Sequence, residues 1–301
     1  MNKSVFAAVS AAALTIFSPM MSASAHVTVV QGDDVIITTT DLGDGLYMLE
    51  GRGGNIGISV GEDGVFMIDD QFGNIADKIL AAVAEVTDEP VSYVLNTHWH
   101  GDHTGGNAAM AAEGATILSH DNVRKRLKQS LDVKGELEEG ASSLPVLTFS
   151  DTTTFHWNGH EIHVFHFPNA HTDGDARVHF RTANVMHMGD TLFAGRYPFI
   201  DLDSGGTVDG YIANLEAVAA LADDNTQIIP GHGPLSDKAT ILTTVEALKA
   251  MRTAVKTLVD QGLGEDEIVA ADPLANWNDD YGWQFINGER MTRTFVRDLK
   301  S

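Results

Sequence analysis

The chain has 301 residues, 42 acidic against 19 basic side chains and a formal charge of −23, with the apolar and charged fractions of a globular protein. Such a surface repels phosphate backbones, which excludes nucleic acid as a partner. The absence of cysteine excludes disulfides and thiolate metal ligands, leaving imidazole and carboxylate for any metal chemistry.

Residues 1–25 read as a secretory signal peptide. Met1-Asn2-Lys3 is basic, the run from Val5 to Met21 is mostly apolar, and Ala23-Ser24-Ala25 fits a small-x-small cleavage site, with cleavage expected before His26. The run is short, Ser10, Ser18 and Pro19 interrupt it, and no second long apolar stretch follows. The mature chain, residues 26–301, is therefore expected to lack a membrane anchor and to be periplasmic or secreted. No double arginine precedes the apolar run, which points to the general secretory route.

Strands are expected over residues 35–37 and 46–49, and a hairpin over residues 55–60 and Val65–Ile68 about the turn at 61–64. The last strand ends in Asp69-Asp70. Apolar residues at Ile75, Ile79, Leu80 and Val83 have helical spacing, with Pro90 as the stop. Residues 91–95 form a short apolar strand that runs into Asn96-Thr97-His98-Trp99-His100-Gly101-Asp102-His103. His98 and His100 are two apart, so in extended backbone both rings point the same way; Gly101 then lets the chain turn and bring Asp102 and His103 toward a second position. Thr104 is expected to cap a helix to about Ala112. A strand at 115–118, a basic amphipathic helix at 122–129 and an exposed loop at 135–143 follow.

The second half restarts with strands at Thr152–Trp157, 161–167, 177–181 and 185–188, the first two joined by the turn Asn158-Gly159. His160, His163 and His166 alternate between strand faces and cannot share one metal, so they read as structural. His171 lies in the loop at 168–175, and Asp190 just past an apolar strand. After a helix over Val208–Leu221, the strand Gln227–Ile229 ends in Pro230-Gly231-His232-Gly233. Four loops thus share one grammar: an apolar strand, then a histidine or aspartate, with glycine or proline close by. No linker divides the chain, so residues 26–301 are expected to form a single domain. Its helical extension, about 236–301, has apolar positions at Ile241, Val245, Leu248, Met251, Val255 and Leu258. The aromatic patch Trp277, Tyr281, Trp283 and Phe285 predicts either a core element or a homodimer contact.

The block from His98 to His103 resembles the His-x-His-x-Asp-His signature of the metallo-β-lactamase superfamily, and the order of the later loops extends the likeness from Leu46 to His232. The resemblance implies an α/β layered fold, an αββα sandwich of two mixed sheets with outer helices and metals at one edge. It implies a first zinc on His98, His100 and His171, a second on Asp102, His103 and His232, and Asp190 bridging the two. Iron or manganese suits the same nitrogen and oxygen donors. Asp102 and Asp190 would take part in catalysis, and Asp69 would support a ligand histidine from behind.

The implied chemistry is hydrolysis of an amide, ester or thioester of a small-molecule substrate by an activated water, without a serine or cysteine nucleophile. A β-lactam is the leading substrate, because the leader suggests export and Asn96 to Asp102 with Gly105-Gly106-Asn107 resembles the zinc β-lactamase motif. Where the best-known of those enzymes carry a substrate-gripping lysine this chain has Phe193, and Arg196 is the candidate substitute. The all His/Asp set, with Gly189 to Phe193 and Pro230 to Gly233, is more like glyoxalase II, so a thioester or a lactone is the alternative. A mono-iron persulfide dioxygenase would reveal itself by one iron, whereas a flavo-diiron protein is disfavoured by His100. Tyr197, Phe199 and Ile200, in the loop after Asp190, are candidates for an apolar substrate wall.

Overall fold

A computed structural model describes residues 25–28 and 35–301. The predicted signal segment, apart from Ala25, lies outside the described residues. Eight strands form the first sheet in chain order: β1 (Ala25–Thr28), β2 (Ile37–Gly43), β3 (Leu46–Glu50), β4 (Ile56–Ser59), β5 (Val65–Ile68), β6 (Val91–Asn96), β7 (Thr116–His120) and β8 (Leu147–Phe149). β1 to β5 pair antiparallel, and β5 to β8 pair parallel. The parallel steps need crossovers, supplied by α1 (Ala76–Ala84), then α2 (Gly101–Thr104) with α3 (Asn107–Ala112), then α4 (Asp121–Lys134).

The second sheet has the order β13 (Gln227–Ile229), β12 (Val185–His187), β11 (Ala176–Phe180), β10 (His160–His166) and β9 (Thr152–Trp157), with β12 and β13 parallel. Helix α5 (Val208–Leu221) makes that crossover, and α6 (Lys238–Asp260), α7 (Glu265–Ala270), α8 (Asn278–Tyr281) and α9 (Gly288–Lys300) follow.

Side-chain alternation explains the layers. In β5, Phe66 and Ile68 face Ile162, Val164, Val178 and Phe180 of the other sheet, while Val65 and Met67 pack under Ile79, Val83 and Met110 of α1 and α3. In β12, Val185 joins the inter-sheet core and Met186 packs with Leu215 of α5 and Val245 of α6. All four β5 residues are buried because the sheet is covered on both faces. This is the expected αββα sandwich.

Three local expectations are corrected. The strand expected at 35–37 begins only at Ile37 and runs to Gly43. Thr104 closes α2 rather than capping α3, its hydroxyl donating to the His100 carbonyl at 3.0 Å. The loop at 135–143 contains a 3-10 turn over Glu139–Ser143. The hairpin turn holds, with Asn158 at φ 51° and Gly159 at φ 77°, the paired left-handed conformation that a two-residue turn demands.

Candidate metal centre

Four strand ends deliver the candidate ligands to one edge of the sandwich. β6 leads into His98, His100, Asp102 and His103; β10 into His171; β12 into Asp190, on a 3-10 turn over Gly189–Thr191; and β13 into His232. β5 leads into Asp69 behind them. The donor atoms fall into two groups, His98, His100, His171 and Asp190, and Asp102, His103 and His232, each within 4.8 Å. His100 Nδ1 lies 3.1 Å from His98 Nε2 and 3.0 Å from His171 Nε2. Nitrogens at zinc-bonding distance on a tetrahedron are about 3.3 Å apart, so this spacing fits a cation between them.

Asp190 spans both groups. Its Oδ2 lies 3.7 Å from His98 Nε2 and 3.6 Å from His171 Nε2, while Oδ1 lies 3.0 Å from His103 Nε2 and 3.4 Å from His232 Nε2. His232 Nε2 is 3.2 Å from Asp102 Oδ2. His103 Nε2 and Asp190 Oδ1 are both buried without a hydrogen bond. Buried polar atoms are rarely left so, and two of them aimed at the centre of an imidazole and carboxylate cage fit a divalent cation.

The outward nitrogens are fixed by other partners, as metal-binding imidazoles require. His103 Nδ1 donates to Asp69 Oδ2 at 2.7 Å, and His171 Nδ1 to the Phe199 carbonyl at 2.7 Å. His100 Nε2 donates to Asp201 Oδ2 at 3.0 Å, and His98 Nδ1 meets Thr97 Oγ1 at 3.1 Å. Asp69 also accepts from the Thr97 N–H and hydroxyl, both at 2.7 Å, so its carboxylate ties β5 to the β6 loop. It does so from left-handed backbone at φ 62°, a conformation that costs a non-glycine residue energy.

Charge is concentrated here. Burial opposes ionisation of Asp190, but His103, His232 and His98 outweigh it and hold the carboxyl well below the usual range. Burial likewise opposes a charged His232, yet Asp190 and Asp102 push it up to about 9. His98 is pushed well down, by burial first and by His103 second.

Three further histidines hold structural hydrogen bonds. His160 Nε2 donates to the Asp44 carbonyl and His166 Nδ1 to that of Asp175, as the strand pattern indicated. His187 Nε2 donates to the Asn55 carbonyl at 3.1 Å.

The centre opens into a cleft of about 680 Å³ whose lining includes Glu50, Arg52, Phe72, Phe193, Arg196, Phe199, Trp283 and Phe285. Arg196 and Phe199, the candidates for substrate contact, are among the residues that line it. Tyr197 is not: it is fully buried, its hydroxyl donates to Asn278 Oδ1 at 3.0 Å, and it anchors the C-terminal segment instead of lining the cleft. Ile200 is also packed into the core. Trp283 and Phe285, read from sequence as core or dimer surface, form part of the cleft wall. Asp201, behind His100, was missed as well.

The sequence model described as the metallo-beta-lactamase superfamily matches residues 49–232. The chain belongs to the metallo-beta-lactamase superfamily. Among curated relatives, hydroxyacylglutathione hydrolase from Polaromonas sp. is 31% identical over 154 residues, covering 50% of this chain and 52% of the relative. The protein of that name from Nitrosococcus oceani is 32% identical over 146 residues, covering 47% and 48%. The chain thus matches about half the length of these relatives. Among solved structures, a metallo-beta-lactamase from Pontibacter korlensis superposes with TM-score 0.56 at 19% identity, covering 75% of this chain and 99% of that one. A stereoselective inverting sec-alkylsulfatase from Pseudomonas sp. gives TM-score 0.66 at 14% identity, covering 87% and 50%. Both show the superfamily's fold. Trp283 and Phe285, which line the cleft, lie beyond the stretch that the family model matches.

Proposed function

We propose that the protein is an exported hydrolase that holds two divalent cations, zinc by preference, on His98, His100, His171, Asp102, His103 and His232 with Asp190 between them. The observation that carries this reading is the convergence of two imidazole and carboxylate groups on the two oxygens of Asp190. Bound there, the cations would lower the pKa of a water to about 7 and polarise an acyl carbonyl. The chain's own groups supply orientation. Asp102, partly exposed on the cleft lining, presents its carboxylate beside the centre to orient an attacking water. Asp69 and Asp201 keep His103 and His100 in the tautomers that face inward. Phe193 and Phe199 shield the centre from bulk water.

The scissile bond is an amide or ester type. The β-lactam reading draws support from the Asn96 to Asn107 motif and from the expected leader. The thioester reading draws support from relatives named hydroxyacylglutathione hydrolase and from an all His/Asp donor set. Packing of α6 and α9 into one apolar cluster with α5 supports a single domain with a helical extension. Nitrocefin, an S-acyl glutathione and an acyl lactone, assayed side by side on the zinc-loaded full chain, test the function. Turnover of the thioester alone removes the β-lactamase reading; turnover of none of the three overturns the hydrolase reading. Detection of the chain in a periplasmic fraction, cleaved before His26, tests export.

A further inference from the structure

Between β11 and α5 a group of polar side chains is sealed from solvent. Arg177 alternates along β11 with Ala176 and Val178, which pack in the inter-sheet core, so it points the other way, toward the helix layer. Tyr211 and Asn214 are three apart on α5 and share its buried face. Arg177 and Tyr211 are 0% exposed and Asn214 is 1% exposed. Among the described residues Arg177 is the only arginine that is buried. Its charge and the Tyr211 hydroxyl influence one another electrostatically, which brings the polar ends of strand and helix together. None of the three side chains finds a hydrogen-bond partner: neither Nε nor the two terminal nitrogens of Arg177, nor the Tyr211 hydroxyl, nor Nδ2 and Oδ1 of Asn214. These are six of the thirteen such buried atoms in the described residues, so the deficit belongs to this spot and not to the fold at large.

The surroundings do not repair the deficit. The Arg177 guanidinium lies 5.8 Å from the centre of the Phe165 ring and 5.4 Å from that of Phe167, contacts that engage its faces and leave its in-plane N–H groups without acceptors. Asp175 favours the charged guanidinium from a distance. Its carboxylate is already taken, by the His171 N–H at 2.7 Å, the Thr172 N–H at 2.9 Å and the Thr172 hydroxyl. Burial lowers the pKa of Arg177 to about 10, so the group is still protonated at neutral pH. A buried cation persists only where its donors are satisfied. A guanidinium only donates, and the Asn214 amide and Tyr211 hydroxyl add further donors against few acceptors. Water donates as many hydrogen bonds as it accepts, whereas a surplus of donors suits a ligand that only accepts.

We propose that Arg177, Tyr211 and Asn214 form an internal site for a small monovalent anion of chloride size, which fastens α5 against β11 beside the loop that carries His171. The site stands apart from the hydrolase reading above and does not depend on it. The test is urea unfolding of the zinc-loaded full chain as chloride replaces isethionate, an anion too large for an enclosed site, at constant ionic strength. The midpoint is expected to rise with chloride, the folding equilibrium shifting about 100-fold when chloride stands at about 100 times its dissociation constant. Asn214→Asp places a carboxylate in the site and is expected to fold with a midpoint indifferent to chloride. In wild-type crystals soaked in bromide, anomalous scattering is expected at hydrogen-bonding distance from the Arg177 guanidinium. A wild-type midpoint indifferent to chloride, a dependence that survives Asn214→Asp, or density beside Arg177 that carries no bromide signal and is therefore water, overturns the proposal. Should Asn214→Asp fail to fold, the wild-type titration and the bromide signal decide between the same outcomes.

Discussion

Gly54→Ala puts the geometry of the centre to a demanding test, because it adds one methyl group and removes nothing. A Cβ at Gly54 would lie far inside van der Waals contact with Cε1 and Nε2 of His103, and even the third-nearest atom, His103 Nδ1, would be only 2.7 Å away. Relief to about 3.5 Å requires the ring to retreat by roughly 0.8 Å measured from that atom, and by more at its inward edge. The ring is fully buried, and its Nδ1 is tied to Asp69 at 2.7 Å, so retreat breaks that hydrogen bond or forces the 51–55 loop outward. The Gly54 N–H itself donates to the Asp102 carbonyl, so a displaced loop also pulls on a candidate metal-binding residue. Overpacking of this kind costs about 1–3 kcal/mol of stability, and a ~1 Å misplacement of a catalytic group costs about 100-fold in rate. Urea unfolding gives the first quantity, and kcat/KM on whichever acyl substrate is turned over gives the second. A Gly54→Ala protein with wild-type stability, turnover and zinc content would refute the placement of His103 Nε2 toward the centre.

Asp190→Ala is expected to lower occupancy of both cation positions together, since one carboxylate oxygen faces each group; elemental analysis showing two tightly held zinc ions would contradict the bridging assignment. Asp69→Asn removes the anionic acceptor behind His103 and is expected to weaken zinc binding about 10- to 100-fold in a chelator competition, with unchanged affinity counting against its supporting role. His187 is fully buried, and burial lowers its pKa to about 4 from 6.5, so the unfolded chain binds a proton more readily than the folded one between those values. Its contribution to stability is therefore complete above pH ~6.5 and is lost as pH falls toward ~4, amounting to roughly 3 kcal/mol. Compared by urea unfolding across that range, His187→Gln should lose that much of the wild-type slope; identical slopes for the two proteins would dismiss the idea.

The parts legible in the sequence were those in which chemistry and strand end are neighbours in the chain. Val91 to Leu95 followed by His98 to His103, and Gln227–Ile229 followed by His232, carry their own context. The sandwich followed from the resemblance, and the alternation of Val65 and Met67 against Phe66 and Ile68 gives its physical basis. What was not legible depends on long-range packing. Asp201 serves His100 across 101 positions of sequence, and a lone aspartate in a loop gives no signal of that. Tyr197 and Phe199 are two apart in a segment of irregular backbone, where no periodicity tells which side chain faces the cleft and which the core. Trp283 and Phe285 reach the site only because the chain after α8 folds back, with the Tyr197 N–H donating to the Tyr281 carbonyl at 2.7 Å.

The central claim is that loops separated by more than a hundred residues meet to cage a pair of cations. Its most direct test is the zinc stoichiometry of the full chain, stripped with a chelator, titrated with zinc and freed of excess before elemental analysis. The account predicts two zinc ions per chain, falling to fewer when His171 or His232 is replaced by alanine. A reconstituted protein that retains no transition metal, or whose zinc content is indifferent to both replacements, would contradict it.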